Sequence, residues 1–256
     1  MNTLLRKSRL FTGLSDVEIA DLMRAVEPQP CNFRRGEVIW REGAVVPGIG
    51  LLQKGRLHSL LQRTSGGEQF MRLYEPGDII NAEAGLSRKQ TSPVSVVAAI
   101  GGSYLWFPSD RLLDRQVIPS VVVDTLRDNL FDFLAGESIR HMKRLGIISR
   151  HWARERLMEL FGTLRKSQGN EVTTGMTQDI LAQYLLHVPS TVSLELRKMQ
   201  DEGLIKVNRQ HIKLLYTTPG KAQEEAEPSL GVKSPAKPRR KPPGRHRKEP
   251  PATPRA

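Results

Sequence analysis

The chain has 256 residues, 38% of them hydrophobic, enough for one substantial core or two modest ones, and a formal net charge of +12. Such an excess of positive charge favours partners with negative surfaces, nucleic acid or anionic membrane, beside the plainer reading of a basic solvated surface. The single cysteine, Cys31, excludes an intramolecular disulfide and an iron–sulfur cluster held by several thiolates of one chain, and no run of about 18 apolar residues is present to span a membrane.

The first residues lack the apolar run of a signal peptide, so a cytoplasmic protein is the simplest expectation. Ser15-Asp16-Val17-Glu18 has the capping-box pattern and predicts a short amphipathic helix through Met23. From 30 to 108 the chain changes character. Short apolar runs (EVIW, GIGLL, RLHSLL, QFMRLY, VSVVAAI, SYLWF) alternate with glycines, prolines and polar turns, the pattern of antiparallel strands. Gly66-Gly67 predicts a hairpin turn.

Residues 109 to 118 read as helix, and Pro119 opens a longer one. Within it Val123, Leu126, Leu130 and Phe133 recur at spacings of three, four and three, continuing through Ile139, Met142 and Leu145. Because charged residues flank them (Asp124, Arg127, Asp128, Arg140, Lys143), these positions are expected to form a self-association seam rather than a simple core. Gly136 and Gly146 would weaken or bend this helix. His151 to Lys166 predicts another amphipathic helix, with Leu157, Leu160, Phe161 and Leu164 inward. Helices over Thr177–Leu185 and Pro189–Glu202 follow, then strands LIKV and HIKLL around the turn Asn208-Arg209-Gln210. Helices and a β-hairpin in this order describe a winged helix-turn-helix.

The last segment holds eight of the seventeen prolines from Pro228 onward, and nine Lys or Arg against one acid after Gly231. Most of the net charge therefore belongs to a tail that cannot bury enough apolar surface to order itself, and the folded body is only mildly basic. The expected plan is α+β: a compact β domain over 1–118, a dimerisation helix over 119–147, a winged helix-turn-helix over 148–220 and a disordered basic tail over 221–256.

This order resembles the Crp/Fnr family of bacterial transcription regulators, over about residues 8 to 217. The resemblance is carried by LFTGLSDVEIADL, by Gly36-Glu37 with Gly43 and the run Leu52-Gln53-Lys54-Gly55-Arg56-Leu57, by Pro76-Gly77-Asp78-Ile79-Ile80, and by Thr177 through Ile205 without a gap. It implies that residues 1–118 form a cyclic-nucleotide-binding-like sensor β-roll, and it implies the partners double-stranded DNA, a second copy of the chain and RNA polymerase. Thr177 is expected to cap the first helix of the motif. The second helix buries Val192, Leu196 and Met199 and turns Ser190, Thr191, Ser193, Leu194 and Arg197 outward. Similar regulators read bases with a glutamate and an arginine where this chain has Ser190 and Leu194, so the target should differ from the usual one. Arg197, Lys198, Arg209 and Lys213 would meet phosphates. Leu186 stands where the family has glycine at the corner, and an altered turn is expected there. The tail would add salt-sensitive, sequence-blind affinity.

For the sensor, the resemblance places a nucleotide effector at Glu83, Ala84, Thr91 and Ser92, with Glu83 as the ribose partner. Thr91 matches the position of the family's phosphate-binding arginine and cannot replace a guanidinium fork, so use of cyclic AMP in the usual way is not expected. A haem sensor would need ligands such as Cys31, His58 or His141. No Gly-rich nucleotide loop, metal-ligand cluster or catalytic triad stands in the sequence, and an enzyme is not expected. Two rivals to the DNA-binding regulator stay open: a small-molecule signalling module whose winged helix serves protein contacts, and a non-specific architectural DNA binder driven by the tail.

Overall fold

A computed structural model describes residues 3–64 and 66–216; the tail expected over 221–256 lies outside them. The chain opens with α1 (Thr3–Lys7), a 3₁₀ turn at Arg9–Phe11 and α2 (Asp16–Val26). At the start of α2 the Glu18 N–H donates to the Ser15 hydroxyl, and the Ser15 N–H donates to the Glu18 carboxylate at 2.8 Å, the reciprocal bonds of a capping box. The helix runs one turn further than Met23 because Val26 also reaches the core.

Six strands follow: β1 (Gln29–Phe33), β2 (Val38–Trp40), β3 (Gly48–Gln62), β4 (Glu68–Tyr74), β5 (Ile79–Ile80) and β6 (Ser95–Pro108), with the short helix α3 (Ala82–Gly85) between the last two. All pair antiparallel in the order β1-β6-β3-β4, with β2 also on β6 and β5 also on β3. The β3–β4 hairpin turns at Gly66 and Gly67, at φ of 86° and 84°, which a side chain would oppose. The interior of this roll is filled by Phe33, Leu52, Leu57, Tyr74, Ile80, Val96 and Ala98. Helix α3 is seated without slack: a Cβ on Gly85 would come within 1.8 Å of the Gly48 carbonyl oxygen.

Only Ser109–Leu112 of the expected 109–118 helix forms, as α4. The Asp114 carboxylate accepts the Gln116 N–H at 2.8 Å, and this local bond diverts the backbone into turns before Pro119. Pro119 then caps α5 (Ser120–Ile148).

The expected seam on α5 is corrected here. Val123, Leu126, Leu130 and Phe133 are between 0% and 3% exposed in the single chain and belong to the core built with Leu10, Phe11, Ile19, Leu22 and Phe107. A side chain already enclosed by its own chain cannot be the contact for a second copy. The reason lies in phase. From Phe133 the buried positions go on at steps of four, seven and three, to Glu137, Arg144 and Ile147, passing Arg140, which is exposed. Ile139, Met142 and Leu145 are out of step with it, and with Phe131 they are 49% to 76% exposed. The helix thus has two apolar faces, one inside and one outside, and flanking charge does not tell them apart.

The last third packs α6 (Ala153–Gln168), α7 (Gln178–Tyr184) and α8 (Pro189–Asp201) against β7 (Glu171–Thr173), β8 (Ile205–Asn208) and β9 (His211–Leu214). Its core holds Leu157, Phe161, Val172, Leu185, Val192, Leu196, Met199 and Ile212. The wing has three strands, β7-β9-β8, where the sequence showed two. Three residues are too short a run for the period-two signal to register.

Leu126→Ala should cost about 2–5 kcal/mol of stability, as expected for a leucine deleted from a closed core. Urea denaturation checks this, and the loss should be the same at two protein concentrations tenfold apart.

Candidate nucleic-acid interface

The helix-turn-helix is built from its caps inward. Thr177 begins α7 as expected, its hydroxyl accepting the Ile180 N–H at 3.3 Å. Pro189 starts α8, where its missing N–H breaks no helical bond. Between them Leu186 takes φ of 55°. The turn is therefore kept, not altered, and the leucine carries the left-handed strain that glycine would avoid.

An arginine compensates. The carbonyls that end a helix have no partner within it. At this corner Arg156 of α6 donates from Nη1 to the carbonyls of Leu185 at 2.5 Å and Leu186 at 3.4 Å. The same arginine helps to depress the pKa of His187, after burial itself, which is the larger cause. Arg154, the second residue of α6, forks onto Glu202 at 2.6 and 2.9 Å and reaches Glu195 at 3.2 Å. Glu195 also pairs with Lys198 at 3.1 Å, and these bonds hold its carboxyl below the usual carboxylate range, the Lys198 bond contributing most. Glu195 on α8 and Glu202 at its end are thus drawn toward Arg154 of α6.

What remains outward on α8 is Ser190, Leu194 and Arg197, all exposed, with Thr191 and Ser193 half-buried. Arg197 makes no hydrogen bond or ion pair among the described residues. Ser193 donates to the Gln178 side-chain carbonyl at 2.9 Å, which ties the two helices and removes a free hydroxyl from the reading face. Arg209 sits at the wing tip at φ of 55°, fully outward. Lys213 faces out from β9 but is paired with Glu171 at 3.1 Å, a surface pair that a phosphate could displace at little cost. Lys198, by contrast, is already spent on Glu195. The chemistry of this face is a weakly polar helix bearing one apolar tip and flanked by cations.

Gln178, Arg154 and Arg156 were not singled out by the sequence. Each acts across elements remote in sequence, and a surface arginine in an amphipathic helix looks alike whether or not it caps its neighbour.

The effector residues are less united. Ala84 and Ser92 are 1% exposed, and the Ser92 hydroxyl donates to the Val94 carbonyl at 2.7 Å. The Thr91 hydroxyl donates to the Lys89 carbonyl at 3.0 Å. Both hydroxyls are thus engaged in their own turn. Glu83 is exposed and forms no ion pair among the described residues; its charge adds to burial in raising the pKa of Tyr74 and of Glu137. Where β4 meets α5, Arg72 approaches Glu137 at 2.7 Å and Arg140 approaches it at 2.9 Å, while Arg72 also lies over the rings of Tyr74 and Phe133. Neither Glu137 oxygen receives an aligned hydrogen bond, and burial outweighs both cations in pushing its pKa up. Of the haem candidates, Cys31 lies on β1, His58 on β3 and His141 on α5, three separate elements.

Comparison with known proteins agrees with this layout. A cyclic nucleotide-binding domain model matches residues 30–115, and a Crp-like helix-turn-helix domain model matches residues 155–217. Over 215 residues the chain is 22% identical to the transcriptional activator protein FnrA of Stutzerimonas stutzeri, covering 80% of this chain and 83% of that one. FixK2 from Bradyrhizobium japonicum shares the fold at a TM-score of 0.58 and 19% identity, over 74% of this chain and 93% of its own. CLP, a c-di-GMP responsive global regulator of Xanthomonas campestris, does so at 0.63 and 12%, over 79% and 100%.

Leu186→Gly should relieve about 1 kcal/mol of left-handed strain, partly offset by the half-buried side chain lost. A thermal melt should shift upward by about 1–3 °C for a chain of this size; a downward shift would mean that leucine packing outweighs the strain.

Proposed function

The chain belongs to the Crp/Fnr family of DNA-binding transcription regulators, and from that premise we propose that it acts as a cytoplasmic homodimer whose two α8 helices address adjacent major grooves of a two-fold site. The observation that carries this reading is the outward face of α8: Ser190, Leu194 and Arg197 are exposed, while Glu195 of the same helix and Glu202 at its end are paired with Arg154 and Lys198. A protein-binding wing would have no need to remove negative charge from this side, whereas DNA phosphates do. No helix among the described residues is long and apolar enough to cross a membrane.

The contacts divide by role. Leu194 meets a thymine methyl, Ser190 and Thr191 hydrogen-bond bases or phosphate, and Thr177, Arg197, Arg209 and Lys213 hold the backbone. Without the guanine-reading arginine of similar regulators at position 194, the preferred half-site is richer in A·T pairs. Pairing of two chains uses the outer face of α5, through Phe131, Met142 and Leu145, since exposed apolar side chains at this spacing are the ones left to bury. Bound to a promoter, the dimer contacts RNA polymerase. The sensor roll does not use cyclic AMP in the usual way: the hydroxyls of Thr91 and Ser92 are engaged locally, and the chain's own Arg72–Glu137 pair occupies the joint of roll and α5.

Selection of bound sequences from random DNA tests the central claim, with and without a panel of nucleotides. Enrichment of a palindromic motif, unchanged by saturating cyclic AMP, is expected. Enrichment of no two-fold motif under any condition would sink it. Two substitutions divide the interface further. Leu194→Ala should weaken the selected site by about 1 kcal/mol and relax the preference at one base pair, whereas Arg209→Ala should weaken all duplexes alike and lower the salt slope by about one. Met142→Glu should yield monomers in sedimentation with unchanged helix content.

A further inference from the structure

Arg144 lies on the buried face of α5, 5% exposed, at the junction of β4, α5 and α7. Its Nη1 donates to the Met71 carbonyl at 3.0 Å, and its Nη2 donates to the carbonyls of Phe70 at 2.7 Å and Tyr184 at 3.2 Å. The Tyr184 ring lies 4.5 Å from the guanidinium carbon. Among the described residues no carboxylate pairs with it.

Backbone carbonyls fix this arrangement by geometry alone. Two of them belong to a strand of the sensor roll and one to the end of the first helix of the DNA-binding motif, while the donor stands on α5. A planar fork satisfies all three only when β4 and the end of α7 are both seated against α5. The Tyr184 carbonyl is one that α7 itself cannot satisfy. Two turns earlier on the same face, Arg72 of β4 meets Glu137, so β4 is held to α5 at two points.

We propose that Arg144 is a positioning residue, which makes the orientation of the DNA-reading helices depend on the seat of β4. A displacement of the β3–β4 hairpin changes the acceptors offered to the guanidinium and is thereby transmitted to α7 and α8. The clamp does not cover the reading face, because Ser190, Leu194 and Arg197 are exposed with it in place. It orders that face beforehand. A two-fold site requires both recognition helices in register at once, whereas phosphate contact with arbitrary DNA does not. This inference rests on the DNA-binding reading above.

The test uses the full chain with Arg144→Met and Arg144→Lys. Arg144→Met should weaken binding to the selected two-fold site roughly tenfold, within the usual range of coupling between sites, and leave affinity for a random duplex of equal length unchanged. Amide exchange should quicken together in residues 68–74 and 178–186 and not in 16–26. Arg144→Lys keeps the charge, but its compact ammonium cannot span three carbonyls, so it should fall between; it carries the test alone if the methionine variant does not fold. Equal loss on both duplexes, a gain on the specific site, or exchange that rises in only one segment would overturn the proposal. Failure of the unaltered chain to bind any two-fold site would instead sink the DNA reading, and the exchange measurement, which needs no DNA, would still judge the clamp.

Discussion

A guanidinium taken out of water must find acceptors or the fold does not hold. Arg144 finds its acceptors in two places that the chain reaches more than a hundred residues apart, β4 and the end of α7. The remainder of the architecture can be followed outward from that requirement. α5 must be long enough to serve both the roll and the helix-turn-helix. Its inner face must be apolar near Leu126 and Leu130, where it seals the first core, carry Glu137 and Arg144 where it meets strand edges and helix ends, and turn apolar again at Ile147 in the second core. Burial of Arg72 and Glu137 on the same face repeats the device at the roll, with a carboxylate in place of carbonyls. The two sites differ in kind. The carbonyl clamp has no titratable acceptor, whereas the Glu137 carboxyl has its pKa raised by burial against the pull of Arg72 and Arg140.

The DNA-reading corner follows a similar logic on a smaller scale. Arg156 closes the carbonyls of a turn that a leucine makes strained, and Arg154 gathers Glu195 and Glu202. Arginine serves here as mortar between helices, because a single side chain can meet several acceptors in fixed directions. The result is a recognition helix rigid in placement yet plain in chemistry. The discrimination proposed for it, by methyl contact and hydroxyls rather than by a bidentate fork, implies a modest specificity per base pair supported by symmetry and phosphate contacts.

Much of the fold was legible in the sequence. The Ser15–Glu18 box, the paired glycines of the hairpin and the period of α7 and α8 each state a local rule that the structure obeys. What was misread on α5 had a definite cause. Spacing by threes and fours fits any face of a helix, and the sequence offered two such faces. The decisive sign was present: the spacing from Phe133 runs into Glu137 and Arg144, and a charged residue on an apolar stripe announces a partner in the interior. The three-stranded wing and the short α4 escaped because a three-residue strand and an Asx turn leave almost no periodic trace. At the helix-turn-helix, the Thr177 cap was legible in local chemistry, whereas Arg154, Arg156 and Gln178 act through tertiary contacts, which no local pattern encodes.

The two faces of α5 also bear on how such a chain can vary over time. Each added residue turns the rest of a helix by about 100°. A single insertion between Phe133 and Met142 would therefore carry Arg144 away from its carbonyls and bring outer apolar residues toward the roll, exchanging lining for surface. Substitution along this stretch is graded, position by position, but a change in its length is all or nothing. The middle of α5 is thus a ruler whose count both of its faces fix.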